Sequence, residues 1–315
     1  MLKKKTKATN SLLHDMLAFP LEGIVRSIAD FRTWRTIWED VGNRWERSVE
    51  RSICAGLLCD RLAWAFAAGY QGAIQALFPG LPAGVIAAIC ISESGGNHPR
   101  AIQTKLNRTK NGCRLNGEKQ FITAGENADR LAVAASTGMQ DGRNRIRMVW
   151  VDRDAAGLVL QSMPPLPFIP EIAHSTAHFQ NVPVPPGQVT PGDGYIQAVK
   201  PFRTIEDLHV TGAVLGHLLG VARRCGWPDG IVEQICLLIV TVAALARENP
   251  LSPATHMAMG GLFEQIDTLL AALEPLWPKT DPRIARRWQR DKPVLEIADK
   301  ARRRRLAAAK RHYGM

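Results

Sequence analysis

The chain of 315 residues lacks most of the features that mark a membrane, secreted or metal-binding protein. Its longest apolar run, residues 235–246, is too short to span a bilayer and predicts a buried helix. Asp15 and Glu22 interrupt the segment after the basic N-terminus, so no secretory signal is expected. The six cysteines form no Cys-x-x-Cys pair, which predicts free thiols in a reducing cytoplasm. His174 and His178 share a strand face without a third ligand nearby, so no metal site is expected.

Net charge is also missing from the body of the chain, although the total is +11. Residues 1–7 carry four lysines, and residues 299–315 carry seven lysines and arginines against one aspartate, so these ends hold ten of the eleven charges. A basic face for nucleic acid is therefore not expected on the body of the protein. We expect the Arg302–Arg305 run to be a solvated helix end.

The features that are present divide the chain into three parts. Residues 1–85 have helical periodicity, residues 86–195 hold several short strands, and residues 196–315 return to helical periodicity. With 46% hydrophobic residues the chain can form a core, and this order predicts an α+β fold. The predicted domains are an N-terminal helical domain, a middle β domain and a C-terminal helical domain with a basic tail.

Two local patterns predict where elements turn or begin. Asn116-Gly117 lies between two strand-like runs and predicts a tight hairpin turn, because this dipeptide adopts the positive φ angles that such a turn needs. Thr204 stands three residues before Asp207, which is the capping-box pattern of a helix start.

The middle part contains two distinctive segments, Ser92-Glu-Ser-Gly-Gly-Asn97 and Leu115-Asn-Gly-Glu-Lys-Gln-Phe-Ile-Thr123. They resemble the acyl-CoA dehydrogenase family, because the first is similar to its Thr-Glu-Pro-x-Ala-Gly-Ser-Asp turn and the second to its Asn-Gly-x-Lys-x-Trp-Ile-Thr hairpin. Phe179-Gln-Asn-Val-Pro-Val-Pro185 resembles a later strand of the family. The resemblance implies a middle β-barrel domain between an N-terminal helical part and an abbreviated C-terminal bundle.

The resemblance also implies a function and a cofactor. Family members bind FAD and dehydrogenate an acyl thioester between its α and β carbons, and the likeness implies an acyl-CoA substrate, a protein electron acceptor and a homo-oligomer. Carried over by position, Ser92 would hydrogen-bond the flavin ring, and Gly96 with Asn97 would present amides to the pyrophosphate. Phe121 would pack on the ring, and Thr123 would approach its N5 atom. A flavin that accepts a hydride needs such donors and an apolar wall.

The catalytic base has two candidate positions. A minority of the family carries its glutamate on the first long helix of the last domain, and that register implies Glu206. The more common position, after an Arg-Asp pair like Arg290-Asp291, falls by count on Asp299, where we expect a solvated tail acid. Glu206 has an equally simple alternative, since an acid in the first turn of a capped helix stabilises the helix dipole.

Missing motifs leave alternative functions open. The family's FAD-contacting loops in the last domain and its Glu-Gly-Thr sequence are not evident here. The chain could therefore be a degenerate relative that binds acyl-CoA or a partner subunit without chemistry. A third hypothesis is a nucleic-acid-associated relative, because some family members carry basic C-terminal regions.

Overall fold

A computed structural model describes residues 12–20, 27–96 and 98–315. Its helices are α1 Leu12–Leu17, α2 Phe31–Gly42, α3 Ser48–Leu58, α4 Leu62–Leu77, α5 Lys200–Cys225, α6 Asp229–Leu245, α7 Pro253–Leu273, α8 Pro282–Asp291 and α9 Asp299–His312. Its strands are β1 Ala87–Cys90, β2 Lys105–Thr109, β3 Gly112–Thr123, β4 Arg130–Gln140, β5 Arg143–Asp152, β6 Leu158–Ser162 and β7 His174–Val184. The order of helices, strands and helices is the predicted one. The domain boundaries at 85/86 and 195/196 stay predictions.

The helices before and after the sheet share one hydrophobic core. In this core α5 crosses both α3 and α4 so closely that the contact points must be glycines. A Cβ atom on Gly56 would overlap the carbonyl oxygen of Ala213, and a Cβ on Gly216 would overlap that of Ile53. Because any larger side chain would push these helices apart, the glycines fix where α5 lies.

The seven strands form one sheet that curls into a half-barrel. β4 pairs with β5 along one edge. Along its other edge it pairs with β1 and with Lys105, the first residue of β2. β3 pairs antiparallel with β2 and β7, and β6 adds to β7. The interior of the curl is filled by apolar side chains such as Leu115, Val133, Val149 and Phe179. The predicted α+β fold class is confirmed.

The predicted hairpin turn at Asn116-Gly117 is wrong. β3 runs through these residues without turning, and the β2–β3 turn lies at residues 110–111. Gly117 has φ +142° because the chain shifts register here against β7 and passes close to Thr104, whose Cα would lie 2.6 Å from a Cβ on Gly117. The glycine therefore serves a close backbone approach and a bulge rather than a turn.

The capping box at Thr204 is also wrong. The helical stretch begins earlier, with a π-helical turn over Tyr195–Val199 that continues into α5. Asp193 caps this start, since its carboxylate accepts hydrogen bonds from the backbone N–H groups of Tyr195 and Ile196 at 2.8 and 3.2 Å. Thr204 is buried inside the helix, so Glu206 is far from any helix start. The dipole explanation for Glu206 is thereby removed.

Half of the basic C-terminal run, Arg302–Arg305, is packed rather than solvated. Arg302 lies with its guanidinium 4.3 Å from the ring centre of Phe263 and pairs with the buried Asp207 at 3.1 Å. Arg305 pairs with the same carboxylate. Of the run, Arg303 and Arg304 are the exposed members. The prediction of a solvated helix end is wrong for half of the run.

The other composition-based expectations have mixed outcomes. All six cysteines are free; Cys54, Cys59 and Cys90 are buried and the other three are half-buried. The apolar run 235–246 forms most of α6, but this helix is not fully buried, since Leu237 is 66% exposed. None of the helices in the described part of the chain has the length and apolarity to cross a membrane.

Candidate functional site

The turn that follows β1 is held in a closed shape by its own backbone. Glu93 and Gly96 exchange two backbone hydrogen bonds of 3.0 and 2.8 Å. Gly96 has φ +102°, and among the described residues beyond its chain neighbours no atom lies within 4 Å of the position that a Cβ would take. The turn thus presents a glycine backbone toward open space. The next residue, Asn97, lies outside the described residues.

A buried ion pair fixes this turn on β3. The Nζ atom of Lys119 lies 2.6 Å from a carboxylate oxygen of Glu93, and the lysine side chain is fully buried. The same carboxylate accepts backbone hydrogen bonds from Gln103 and Thr104 at 2.6 and 3.1 Å. Burial alone would raise the pKa of Glu93, but the ammonium group and the two amides bring that pKa below its ordinary value. Glu93 is therefore a charged anchor for the turn.

The end of β3 carries an exposed ring and a polar hydroxyl beside this turn. The carbonyl of Ser92 accepts a 2.9 Å hydrogen bond from the N–H of Gln120, which places Ser92 beside Phe121. Phe121 has φ +54° and is 59% exposed, both uncommon for a large aromatic residue. Thr123 is half-buried, with its Oγ1 atom 3.3 Å from Nε2 of His174. Backbone strain of this kind is concentrated at functional sites.

Glu206 lies on the neighbouring helix α5 in a mostly buried position. Its side chain is 17% exposed and pairs with Arg203, one helical turn earlier, at 3.2 Å. Burial raises the pKa of Glu206, Arg203 opposes this shift and the adjacent Asp207 adds to it. Tyr70 links this region to β1, because its hydroxyl accepts a 3.0 Å hydrogen bond from the N–H of Ile89 and its ring packs edge-on against Phe202 of α5.

The other candidate for the base, Asp299, has different surroundings. Its side chain is 40% exposed and lies 3.1 Å from Arg302 on its own helix, as expected for a surface acid. It borders a cavity of about 550 Å³ between α5, α7 and α9, whose walls include Met259, Phe263 and Leu306. Neither Glu206 nor the turn after β1 lines this cavity.

The structure therefore brings together one set of the candidate residues. Ser92, Gly96, Phe121 and Thr123 lie on adjoining parts of the β1 turn and the end of β3. Glu206 lies on α5, joined to that region through the contacts of Tyr70 rather than by a direct contact. A glycine turn, two hydroxyls and an exposed ring can hold a flat, polar-edged aromatic group.

Comparison with known proteins identifies the fold. Residues 88–182 match the family described as acyl-CoA dehydrogenase, middle domain. The chain has the acyl-CoA dehydrogenase fold. It is 16% identical to butyryl-CoA dehydrogenase from Megasphaera elsdenii, with a TM-score of 0.64 over 91% of each chain. It is 18% identical to an acyl-CoA dehydrogenase from Geobacillus kaustophilus, with a TM-score of 0.61 over 88% of this chain and 92% of that one.

A third solved structure extends the comparison beyond these two dehydrogenases. PigA with FAD and proline is 12% identical and gives a TM-score of 0.67 over 91% of this chain and 90% of that one. No curated protein sequence matches the chain. The resemblance to acyl-CoA dehydrogenases inferred from the sequence is confirmed. The match to the middle domain contains Ser92, Phe121 and Thr123 but ends before Glu206.

Several residues of this region were not assigned a role from the sequence. Glu93 and Lys119 form the anchor of the turn; Glu93 stands out as a charged residue in a run that is otherwise apolar or small, whereas Lys119 lies between Glu118 and Gln120 and gives no such signal. Arg203 and Tyr70 contact the Glu206 region, and their positions in the sequence follow no motif that would have indicated this. His174 and His178 share the half-exposed face of β7, as predicted, and only the first contacts Thr123.

Proposed function

We propose that this protein is a flavin-dependent oxidoreductase that binds FAD and dehydrogenates an acyl thioester between its α and β carbons. The observation that carries the proposal is the turn after β1, which the buried Glu93–Lys119 pair ties to β3, two residues before the exposed ring of Phe121. Such an anchor costs the desolvation of two charges. The acyl-CoA dehydrogenase fold supports the same function.

The residues present fit a flavin. The space around Gly96 is open, and its positive φ leaves the backbone free to approach a phosphate. In this proposal Gly96 and Asn97 bind the pyrophosphate, Phe121 packs on the ring, Ser92 provides a hydroxyl at its polar edge, and Thr123 provides one beside its N5 atom. The bound flavin would accept a hydride from the substrate β-carbon.

Glu206 is the proposed base. Removal of the α-proton of an acyl thioester requires a carboxylate in a mostly apolar site, with a pKa raised toward neutrality so that it can take up and release a proton. Glu206 has this environment, because burial raises its pKa while Arg203 still favours the charged form. Arg203 also restricts the carboxylate to one side of α5.

A second candidate function is binding without dehydrogenation. The family's more common base position falls on Asp299, which is 40% exposed and paired with Arg302. The sequence also lacks the family's FAD-contacting loops in the last domain. A protein of this kind would hold acyl-CoA or a partner subunit, and Glu206→Gln would leave that binding unchanged.

FAD titration of the purified protein tests the cofactor. We expect saturable binding with a change in the flavin absorbance spectrum, and an affinity about fivefold weaker in Ser92→Ala, because one hydrogen bond contributes about 1 kcal/mol. Ser94→Ala is the matched control, since Ser94 is exposed in the same turn. Failure of the protein to take up FAD would refute the proposed function. Equal affinities in both variants would refute the role of Ser92.

Anaerobic addition of acyl-CoAs of different chain length to the FAD-loaded protein tests the chemistry. Loss of flavin absorbance with one of them is the expected result, whereas stable absorbance with all of them favours the binding function. We also propose a homo-oligomer in the cytoplasm that passes electrons to an acceptor protein. Light scattering after gel filtration measures the assembly, and a single-chain mass would contradict it.

A further inference from the structure

The hydrogen bonds of His174 determine the direction in which the Thr123 hydroxyl points its proton. Nδ1 of His174 lies 3.2 Å from the carbonyl oxygen of Ile172. A carbonyl oxygen can only accept, so Nδ1 carries the hydrogen of the ring. The other nitrogen, Nε2, lies 3.3 Å from Oγ1 of Thr123 and is then a hydrogen-bond acceptor in the neutral ring. The Thr123 hydroxyl must therefore donate to His174.

Burial keeps the histidine ring in this neutral form. The pKa of His174 is lowered because burial disfavours the imidazolium, and the carbonyl of Ile172 opposes this only in part. A hydroxyl has one proton and two lone pairs, so a Thr123 that donates to His174 can only accept from any further partner. Its free side is thus an acceptor.

We infer that His174 is a positioning residue that makes Thr123 an acceptor toward the flavin ring, and that the site thereby favours reduced flavin over oxidised flavin. The inference rests on the proposed function. The N5 atom of an oxidised flavin has only a lone pair, whereas that of a reduced flavin carries a hydrogen and donates. An acceptor hydroxyl at this position complements the N–H of the reduced form and offers nothing to the lone pair of the oxidised form.

A double-mutant cycle on the affinity for oxidised FAD tests this inference. In the wild-type background, Thr123→Val should change that affinity less than twofold, because the hydroxyl proton is already committed to His174. In His174→Phe the hydroxyl is free to donate, so the affinity should rise about fivefold and adding Thr123→Val should remove the gain. His178→Phe is the matched control, since His178 lies on the same face of β7 and bonds Gln161 instead. An equal effect of Thr123→Val in both backgrounds would overturn the inference.

Two further measurements separate this inference from the proposed function. The two-electron midpoint potential of bound FAD should fall by about 20 mV in His174→Phe, which is a fivefold change converted at about 30 mV per tenfold, and should not move in His178→Phe. In flavin-free protein, ¹⁵N NMR should find the proton of His174 on Nδ1. A proton on Nε2 would overturn the inference even where FAD binds. Absence of FAD binding in every variant would instead refute the proposed function, and the inference with it.

Discussion

The turn after β1 and the contact between α5 and α9 both bury charged groups, but they do so at very different ranges along the chain. The Glu93–Lys119 pair joins residues 26 apart, within the region that matches the family. The contact of Asp207 with Arg302 joins residues 95 apart, in the region where family motifs are missing. The first pair shapes a local turn, whereas the second attaches a terminal helix to the core. Buried charge therefore serves the site in one region and the assembly of the bundle in the other.

The largest effect is expected from removing the arginines of the second region. Arg302→Ala combined with Arg305→Ala leaves Asp207 buried without a partner, which should lower the free energy of unfolding by about 4 kcal/mol. Arg303→Ala with Arg304→Ala removes the same charge from two exposed positions of α9 and should change the free energy of unfolding by less than about 0.5 kcal/mol. Urea unfolding of both variants measures the difference. Equal stabilities would mean that α9 is not held by Asp207.

Breaking the first pair should have a somewhat smaller effect. Lys119→Met leaves the carboxylate of Glu93 buried, but two backbone amides still hold it, so we expect a loss of about 3 kcal/mol. Adding Glu93→Gln should recover part of the loss, because the unpaired charge is then gone. FAD affinity should fall in the single variant. An unchanged FAD affinity in Lys119→Met would show that the turn after β1 does not contribute to FAD binding.

The same pair predicts a pH dependence. The pKa of Glu93 in the folded protein lies below its ordinary value near 4.5, since Lys119 and the amides outweigh burial. The stabilisation is therefore present above about pH 4.5 and is lost as the pH falls through the lower, folded-state pKa. Glu93→Gln with Lys119→Met should flatten this part of the stability curve. A curve that keeps its slope in the double variant would assign the loss to other carboxylates.

Substitution of the two candidate bases tests which of them takes part in turnover. Glu206→Gln keeps the shape of the side chain but cannot accept a proton, so flavin reduction by the substrate should slow by about 10²-fold or more. Asp299→Asn should leave the rate within a factor of two, because Asp299 is a surface acid paired with Arg302. Stopped-flow reduction under anaerobic conditions measures both. Full activity of Glu206→Gln would exclude Glu206 as the base.

The smallest expected effect concerns the strained residue of the first region. Phe121 has φ +54°, a conformation that costs about 1–2 kcal/mol for a residue with a Cβ. Phe121→Gly should therefore raise the free energy of unfolding by about 1 kcal/mol while weakening FAD binding. Thermal unfolding without and with FAD measures both effects. A loss of stability in the flavin-free variant would show that the ring is needed for packing.

The resemblance of the middle domain could be inferred from the sequence because the segments that carry it are local, whereas the roles of its site residues stay predictions. The segments around Ser92 and Phe121 both lie inside the matched region, and the backbone hydrogen bond from Gln120 to Ser92 brings them together in space. The exact course of β3 could not be predicted from the sequence. Asn116-Gly117 has the composition of a turn, but the glycine is needed where β3 passes Thr104, and a contact of that kind leaves no periodic signal in the sequence.

The C-terminal region was harder to predict because its contacts are remote. The pattern of Thr204 and Asp207 predicts a helix start, yet Asp193 already supplies the cap and Asp207 is used by α9. The arginine run predicts a solvated tail when it is considered by composition alone. Helical spacing distinguishes Arg302 and Arg305 from Arg303 and Arg304, but Asp207, the partner of the first two, lies almost a hundred residues earlier. The pairing of such distant groups is determined by tertiary packing.

The crossing of α3 and α4 with α5 also has a consequence for synthesis of the chain. More than a hundred residues separate the end of α4 from the start of α5, and a ribosome needs on the order of ten seconds to add them. During that interval the apolar faces of α3 and α4 have no final partner, while the strands from β1 to β7 are themselves being synthesised. The first helices to be made are thus among the last to be covered, and this is the stage at which the nascent chain is most exposed to aggregation and to chaperones.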